Sequence, residues 1–309
     1  MKLKTLMTLG LFSVVTVLVA AQAVPTPQWP RENPPQPLPA RQVTFPPYEL
    51  RSLPNGLQVV LVSQNEQPAI SLRMIIKAGA AQDPKDKYGL AMMTSTLLDQ
   101  GAGNRTAEQI ADTIDFTGGV LGTGAGSDLS FINAIVMKDS YDVALELMSD
   151  IVMRPTFAQD EIDRQRQQAL SALQVSAEDP DAVAGRLIDR LVYGFHPYGM
   201  PGSGTPQSLA GLSRSDLVEF HRKYFVPNNA IVAVVGDIAP DEAMKGLEQF
   251  FGAWKPGEAT AESVTEPPAP TKRVIVVDKK DAVQTEIRVG HIAIPRKHSD
   301  YEAINQAVK

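Results

Sequence analysis

One stretch of the sequence, from Tyr88 to Gly101, most constrains what this chain can fold into. It follows a turn rich in Pro, Lys and Asp and ends at a glycine, which are the usual start and stop signals of a helix. Its apolar residues recur at helical spacing and are Leu90, Met93, Leu97 and Leu98. The pattern predicts a helix with one apolar face, against which the rest of a core must pack.

The composition narrows the class of protein. With 309 residues, of which 43% are hydrophobic, the chain can form one large or two medium domains with substantial cores. A net charge of −6 without any Lys/Arg cluster argues against a nucleic-acid partner. The absence of cysteine excludes disulfides, thiolate metal sites and cysteine nucleophiles.

The N-terminus has the layout of a secretory signal peptide. Lys2 and Lys4 precede an apolar run that leads to the small-residue triplet Ala21-Gln22-Ala23. We therefore expect residues 1–23 to be cleaved and the protein to be exported, most naturally to a periplasm. The run is short and contains Thr and Ser, so no stable membrane span is expected after cleavage; a retained anchor is the alternative.

The remaining chain divides into four segments. Residues 24–47 are dense in proline and should form an extended leader. Residues 48–257 alternate between strand and helix patterns and form the main domain, and residues 258–271 are a linker rich in Ala, Pro, Thr and Glu. Residues 272–309 begin a second homologous domain, which we expect to be truncated.

Within the main domain, period-two and helical patterns predict a mixture of strands and helices. Strands are predicted at Leu57–Val62, Ile70–Ala78, Leu129–Met137 and Ala230–Val235. Further helices are predicted from capping boxes at Thr106 and Thr156, and at Tyr141–Met153, Ser213–Phe225 and Met244–Phe251.

The second domain is inferred from an internal repeat. At a constant offset of 215 residues, the pairs are Val59 with Val274, Val62 with Val277, Leu72 with Ile287, Arg73 with Arg288 and Met74 with Val289. A strand–turn–strand unit therefore recurs, followed by a helix at Ser299–Lys309. Chance similarity between two amphipathic hairpins is the alternative, because two-residue alternation is common.

Four stretches resemble the insulinase/pitrilysin family of zinc peptidases. They are Leu53-Pro-Asn-Gly-Leu-Gln-Val-Val, Gly89-Leu-Ala before the helix, Met153-Arg-Pro-Thr-Phe157, and His196-Pro-Tyr-Gly with Tyr224-Phe-Val-Pro-Asn-Asn-Ala-Ile-Val-Ala-Val-Val-Gly-Asp237. The resemblance implies an α+β fold with mostly antiparallel sheets flanked by helices, as half of a metallopeptidase-like clamshell built from duplicated domains. In that family two such halves close around a peptide.

The family's zinc motif, His-x-x-Glu-His, has no counterpart in this sequence. The corresponding run is Met92, Met93, Thr94, Ser95 and Thr96. The third metal ligand of the family falls at Ala172 and an auxiliary glutamate at Gln165. Zinc needs nitrogen, sulfur or carboxylate donors, and a hydroxyl cannot replace the carboxylate base. We therefore predict no catalytic residues, no metal ligands and no cofactor in this chain.

The histidines offer no replacement site. They are His196, His221, His291 and His298. No His-x-x-x-His pair and no Ser/His/Asp spacing emerges. We expect His196 to make a structural hydrogen bond in its His-Pro turn, and His221 to be a surface or boundary residue on its helix.

The run from Gly118 to Gly126 contains five glycines, but it follows a helix and leads into a strand. That order is wrong for a phosphate-binding loop. The resemblance implies that this segment is the sheet edge that binds an extended substrate through its backbone. The candidate substrate-binding residues are thus Gly122, Thr123, Gly124 and Ala125, and a flexible surface loop is the alternative.

These observations predict a non-catalytic homologue of the insulinase family. The leading interpretation is the partner subunit of a periplasmic zinc-dependent peptidase, in which a zinc-bearing homologous subunit holds the metal and peptides are the substrates. The alternative is a non-enzymatic peptide-binding or scaffold protein of the same fold. A stand-alone hydrolase that needs no metal is the third and weakest interpretation.

Overall fold

Six strands of this protein form one sheet in the computed structural model, which describes residues 45–259, 266–278, 280 and 284–307. The strands are β1 (Glu49–Ser52), β2 (Gln58–Ser63), β3 (Ala69–Ile76), β4 (Val120–Ala125), β5 (Ser130–Met137) and β6 (Ala230–Gly236). Their order is β1-β2-β6-β3-β5-β4. Only the β2–β6 pair is parallel, so the predicted mostly antiparallel sheet is confirmed.

One face of the sheet forms the core of the domain. In β3, Ile70, Leu72, Met74 and Ile76 all lie at 0% exposure, at a spacing of two residues. Cross-strand partners share a face, and their neighbours in β5 and β6 are buried in the same way. The opposite face is open in places, where Ile135 and Met137 are 52% and 48% exposed.

The helices supply the other layer of the core. They are α1 (Leu90–Thr96), α2 (Ala107–Phe116), α3 (Tyr141–Met153), α4 (Gln159–Glu178), α5 (Pro180–Tyr193), α6 (Pro206–Gly211), α7 (Arg214–Tyr224), α8 (Pro240–Phe251) and α9 (Tyr301–Ala307). Short 3₁₀ turns lie at Ala80–Gln82, Lys138–Ser140, Pro197–Gly199 and Pro227–Asn229. The α+β class with flanking helices is confirmed.

The central helix is shorter than the sequence predicted. All four apolar residues of its predicted stripe are buried, but α1 ends at Thr96 rather than near Gly101. The helix ends at Leu97, whose backbone N–H donates to the Met93 carbonyl. Because the chain turns away from the helix axis there, the consecutive side chains of Leu97 and Leu98 both enter the core. The tertiary packing of Leu97 and Leu98, both 0% exposed, decides this boundary.

One predicted cap is confirmed and one is wrong. Thr106 forms the predicted capping box with Gln109. Thr156 does not cap α4, because its hydroxyl and its backbone N–H both donate to the Gly101 carbonyl, at 3.1 and 2.9 Å. Helix α4 instead begins after Ala158, without a side-chain cap. Helix α5, which Asp179 caps, was not predicted.

The predicted hairpin of the second domain is not formed. The described residues from 266 to 300 contain no strand, and Val274, Val276 and Val289 are 85%, 88% and 94% exposed. A two-stranded hairpin buries too little apolar surface to be stable alone. The predicted helix is present as α9. The predicted signal peptide and nearly all of the leader lie outside the described residues.

None of the described helices combines the length and the apolar character that a membrane crossing requires.

Candidate functional site

Helix α1 is fixed at its N-terminus by the carboxylate of Asp83. The Asp83 oxygens accept hydrogen bonds from the backbone N–H groups of Gly89 and Ala91, at 2.7 and 2.8 Å. Burial raises the pKa of Asp83 to about 7, and the helix amides only partly oppose that rise. Gly89 has φ +92°, and a Cβ there would lie 3.0 Å from the Cα of Gly204.

The residues that the resemblance aligns with the family's metal and base positions form hydrogen bonds with neighbouring side chains and with the backbone. Ser95 donates a hydrogen bond to the Oγ of Ser130 at 3.0 Å, and Ser130 donates to the Ala78 carbonyl at 2.8 Å. Both serines are 0% exposed. Thr96 donates to the carbonyl of Met92 at 2.9 Å. These hydroxyls therefore satisfy the local hydrogen bonds of the helix and sheet.

The atoms that this site could offer to zinc are poor donors. Met92 offers a thioether, Thr96 a neutral hydroxyl already bonded to the backbone, and Ala172 no donor at all. Catalytic zinc sites use imidazole, thiolate or carboxylate ligands with one open position. Within the described residues, no group of three His, Cys, Asp or Glu side chains is placed to hold a metal. The residues present do not fit zinc.

The predicted substrate-binding residues all lie in β4, at one end of the sheet. In the described part of the chain, β4 pairs only with β5, with Gly122 opposite Asn133 and Gly124 opposite Phe131. The segment is therefore an edge strand and not a flexible loop. An edge strand presents free backbone N–H and C=O groups, to which an extended peptide can pair.

The two glycines of the edge differ in their surroundings. A Cβ at Gly124 would lie 2.6 Å from the tip of the Phe131 ring, so the aromatic ring covers this position. The guanidinium of Arg73 lies 6.0 Å from the centroid of the same ring. A Cβ at Gly122 would meet no atom within 4 Å. Only Gly124 is required by packing.

A cleft of about 200 Å³ joins the end of β4 to helix α1. Its lining consists of small side chains and one methionine: Ala80, Met92, Ala125, Gly126, Ser127, Gly202 and Ser203. Met92, at the family's first histidine position, therefore faces the cleft that the edge strand borders.

An aromatic cluster holds the turn between β4 and β5. Tyr198 donates a hydrogen bond to Asp128 at 2.6 Å, and this bond connects the β4–β5 turn to the 3₁₀ turn at Pro197–Gly199. The same bond raises the pKa of Tyr198 to about 12. The rings of Tyr193 and His196 pack against Tyr198 at 5.5 and 4.7 Å between centroids. The Nδ1 of His196 accepts from the Tyr198 N–H at 3.1 Å, as predicted for a structural histidine.

Sequence reasoning missed the polar residues that position this site. Asp83 lies six residues before Gly89, and Ser130 begins a strand on the opposite side of α1. Neither stands at a standard capping distance from α1, so only the tertiary fold brings them to it.

Two models of one protein family match most of the chain. The model described as Insulinase (Peptidase family M16) matches residues 58–205, and the model described as Peptidase M16 inactive domain matches residues 211–306.

The chain belongs to the insulinase family.

Curated relatives of this insulinase-family chain are named as zinc proteases. An uncharacterized zinc protease of Mycobacterium leprae is 27% identical over 77% of this chain and 54% of the relative. The zinc protease PqqE of Helicobacter pylori is 27% identical over 85% of this chain and 61% of the relative. The chain therefore spans between half and two thirds of the length of these relatives.

Solved structures have the same fold. A peptidase M16 inactive domain from Pseudomonas fluorescens superposes with a TM-score of 0.68 at 28% identity, covering 72% of this chain and 54% of that chain. The first half of the periplasmic protease PqqL from Escherichia coli superposes with a TM-score of 0.66 at 16% identity, covering 74% and 51%. The latter shows the fold alone.

Proposed function

We propose that this insulinase-family chain is a non-catalytic subunit that holds an extended peptide on the free edge of β4, beside a zinc-bearing homologous subunit that cleaves it. The observation that carries the proposal is the chemistry of α1. The base position is a serine that hydrogen-bonds Ser130, and the ligand positions are Met92 and Thr96. Strand β4 and the cleft beside Met92 offer a place for such a peptide.

Two of the similarities support this role. One of the superposed structures is described as an inactive domain of this family. A fold superposition with the first half of a longer protease is consistent with a peptidase chamber made from two homologous halves. A periplasmic location agrees with that protease's title and with the predicted signal peptide.

The test is a titration of the full-length protein into its zinc-bearing homologue, with hydrolysis of a quenched fluorescent peptide as the readout. The account predicts that activity rises until the two chains are equimolar, and that the isolated chain hydrolyses nothing. Unchanged activity of the homologue would contradict the subunit role. Peptide binding without any such activation would favour the peptide-binding or scaffold alternative.

A variant can separate binding from stability in this titration. Gly122→Val adds a branched side chain beside the free edge of β4, where a Cβ meets no atom within 4 Å. The valine side chain stands on the sheet face, so the protein should fold normally but bind less well those peptides that place a bulky side chain opposite residue 122 on that face. Loss of activation in this variant at unchanged thermal stability would support β4 as the peptide-binding edge.

A further inference from the structure

The cleft at the end of β4 has walls that are fixed by backbone hydrogen bonds. The Ala80 N–H donates to the Gly126 carbonyl at 2.9 Å, and the Ala81 N–H donates to the Ser127 carbonyl at 2.8 Å. A Cβ at Gly202 would lie 3.1 Å from the Cβ of Ala80, so the segment that contains Gly202 packs directly against Ala80. The cleft is therefore built into the fold, and a ligand does not have to create it.

The lining of the cleft favours an apolar group. Among the described residues that line it, none carries a charge, and the largest is Met92. The polar side chains of the lining are the small hydroxyls of Ser127 and Ser203. A thioether is polarizable and makes favourable contacts with aromatic rings. An apolar cavity of about 150 Å³ can bind benzene. The cleft, at about 200 Å³, therefore has room for a phenyl ring.

The position of the cleft relates it to the edge strand. Ala125 is the last residue of β4 and also lines the cleft. It pairs across the sheet with Ser130, whose hydroxyl accepts a hydrogen bond from Ser95 of α1. Cross-strand partners share a face, so the Ala125 side chain lies on the side of the sheet that α1 covers.

A peptide added to the free edge of β4 would lie about 4.8 Å from it and direct alternate side chains to that same side. The side chain opposite Ala125 would then point toward the cleft, where Met92 is the largest group that it can contact.

We propose that this cleft is a subsite for an aromatic side chain and that Met92 is its specificity-determining residue. The ring belongs to the residue opposite Ala125 in an extended peptide paired with β4, and it packs against the Met92 thioether. This inference rests on the proposed function, and it adds a substrate class: peptides with an aromatic residue at that position. A position that the resemblance aligns with a metal ligand thus binds a peptide side chain in this protein.

Binding can be measured by fluorescence anisotropy with the full-length protein. The probe is a labelled ten-residue peptide of Val, Thr and Ser with one central phenylalanine, and its match carries alanine at that position. The wild type should bind the phenylalanine peptide about tenfold more tightly, because the cleft removes most of the ring from water.

Three variants assign the preference to one residue. Met92→Gln keeps the length of the side chain but makes it polar, so its preference for phenylalanine should fall to less than about twofold. Met92→Leu keeps the apolar contact and should retain most of the preference. Met137→Gln is the matched control, because Met137 is 48% exposed on β5, and it should keep the full preference.

A measurement on the wild type avoids any question of whether a variant folds. The protein is labelled with ¹³C at its methionine methyl groups, and the Met92 signal is assigned by its absence in Met92→Leu. Ring currents should shift the Met92 methyl signal when the phenylalanine peptide binds, and the alanine peptide should not produce that shift. The Met137 signal should stay in place with both peptides.

The outcomes distinguish the two proposals. Equal binding of the phenylalanine and alanine peptides by the wild type, an unchanged preference in Met92→Gln, or an unshifted Met92 signal would overturn the aromatic subsite and leave peptide binding intact. Failure of both peptides to bind would contradict the proposed function, and this inference with it.

Discussion

Ser95 and Ser130 are joined by a hydrogen bond of 3.0 Å between their hydroxyl oxygens, buried between helix α1 and strand β5. Ser130 in turn donates to the Ala78 carbonyl at the end of β3. In the zinc peptidases that this chain resembles, the position of Ser95 is the glutamate that activates water. Here the same position links a helix to the sheet through neutral groups.

The packing around Ser95 predicts that a carboxylate is not tolerated there. Ser95→Glu should lower the free energy of unfolding by about 3 kcal/mol or more, because a larger charged group would be buried without a cation. The control is Ser171→Glu on α4, the same replacement at an exposed helical position, which should cost less than about 0.5 kcal/mol. Urea denaturation measures both, and equal stability of the two variants would contradict the buried placement of Ser95.

The two glycines of β4 should respond differently to the same substitution. Gly124→Ala places a methyl group against the Phe131 ring and should destabilise the protein by about 1–2 kcal/mol. Gly122→Ala meets no neighbour and should be neutral or slightly stabilising, because alanine lowers the entropy of the unfolded chain. Thermal unfolding of both variants checks this. Rescue of Gly124→Ala by Phe131→Ala would confirm the contact, and identical effects at the two glycines would contradict it.

The buried imidazole of His221 predicts a pH dependence of stability. Its Nε2 lies 2.7 Å from the Val152 carbonyl and its ring stacks on Phe225. Burial lowers the pKa of His221 to about 4, from an ordinary value of 6.5. Between these values the unfolded chain binds the proton and the folded chain does not, so this contribution is complete above pH 6.5 and is lost as the pH falls toward 4.

The variant His221→Gln isolates this effect, because other titrating groups are common to both proteins. The stability of the wild type relative to the variant should decrease by about 2 kcal/mol between about pH 7.5 and pH 5. Denaturant unfolding across this range measures the difference. A constant difference would show that the folded protein protonates His221 as readily as the unfolded chain does.

The alternation of apolar and polar residues predicted the sheet well, because it identifies each strand without information about the neighbouring strands. The bounds of β2, β3, β5 and β6 agree with the predictions to within two residues. The end of α1 and the role of Thr156 were missed, since both depend on contacts with distant segments such as Gly101. The hairpin of the second domain was predicted from alternating apolar residues. Its described residues form no strand, and no strand of the described sheet pairs with them.

In the candidate site, too, the sequence predicted some features, while others depend on the tertiary fold. The family resemblance led to the predictions about β4 and the altered metal positions, because these predictions follow from residue identity. It did not reveal Asp83 or Ser130, which reach α1 only through tertiary folding.

Elemental analysis of the purified, tag-free protein after equilibration with zinc tests the central claim most directly. The donors around Met92, Ser95 and Thr96 predict zinc well below one atom per chain, and no change when Met92 or Thr96 is replaced by alanine. One zinc per chain, lost in Met92→Ala or Thr96→Ala, would show that α1 still carries a metal site and would contradict the account of a non-catalytic subunit.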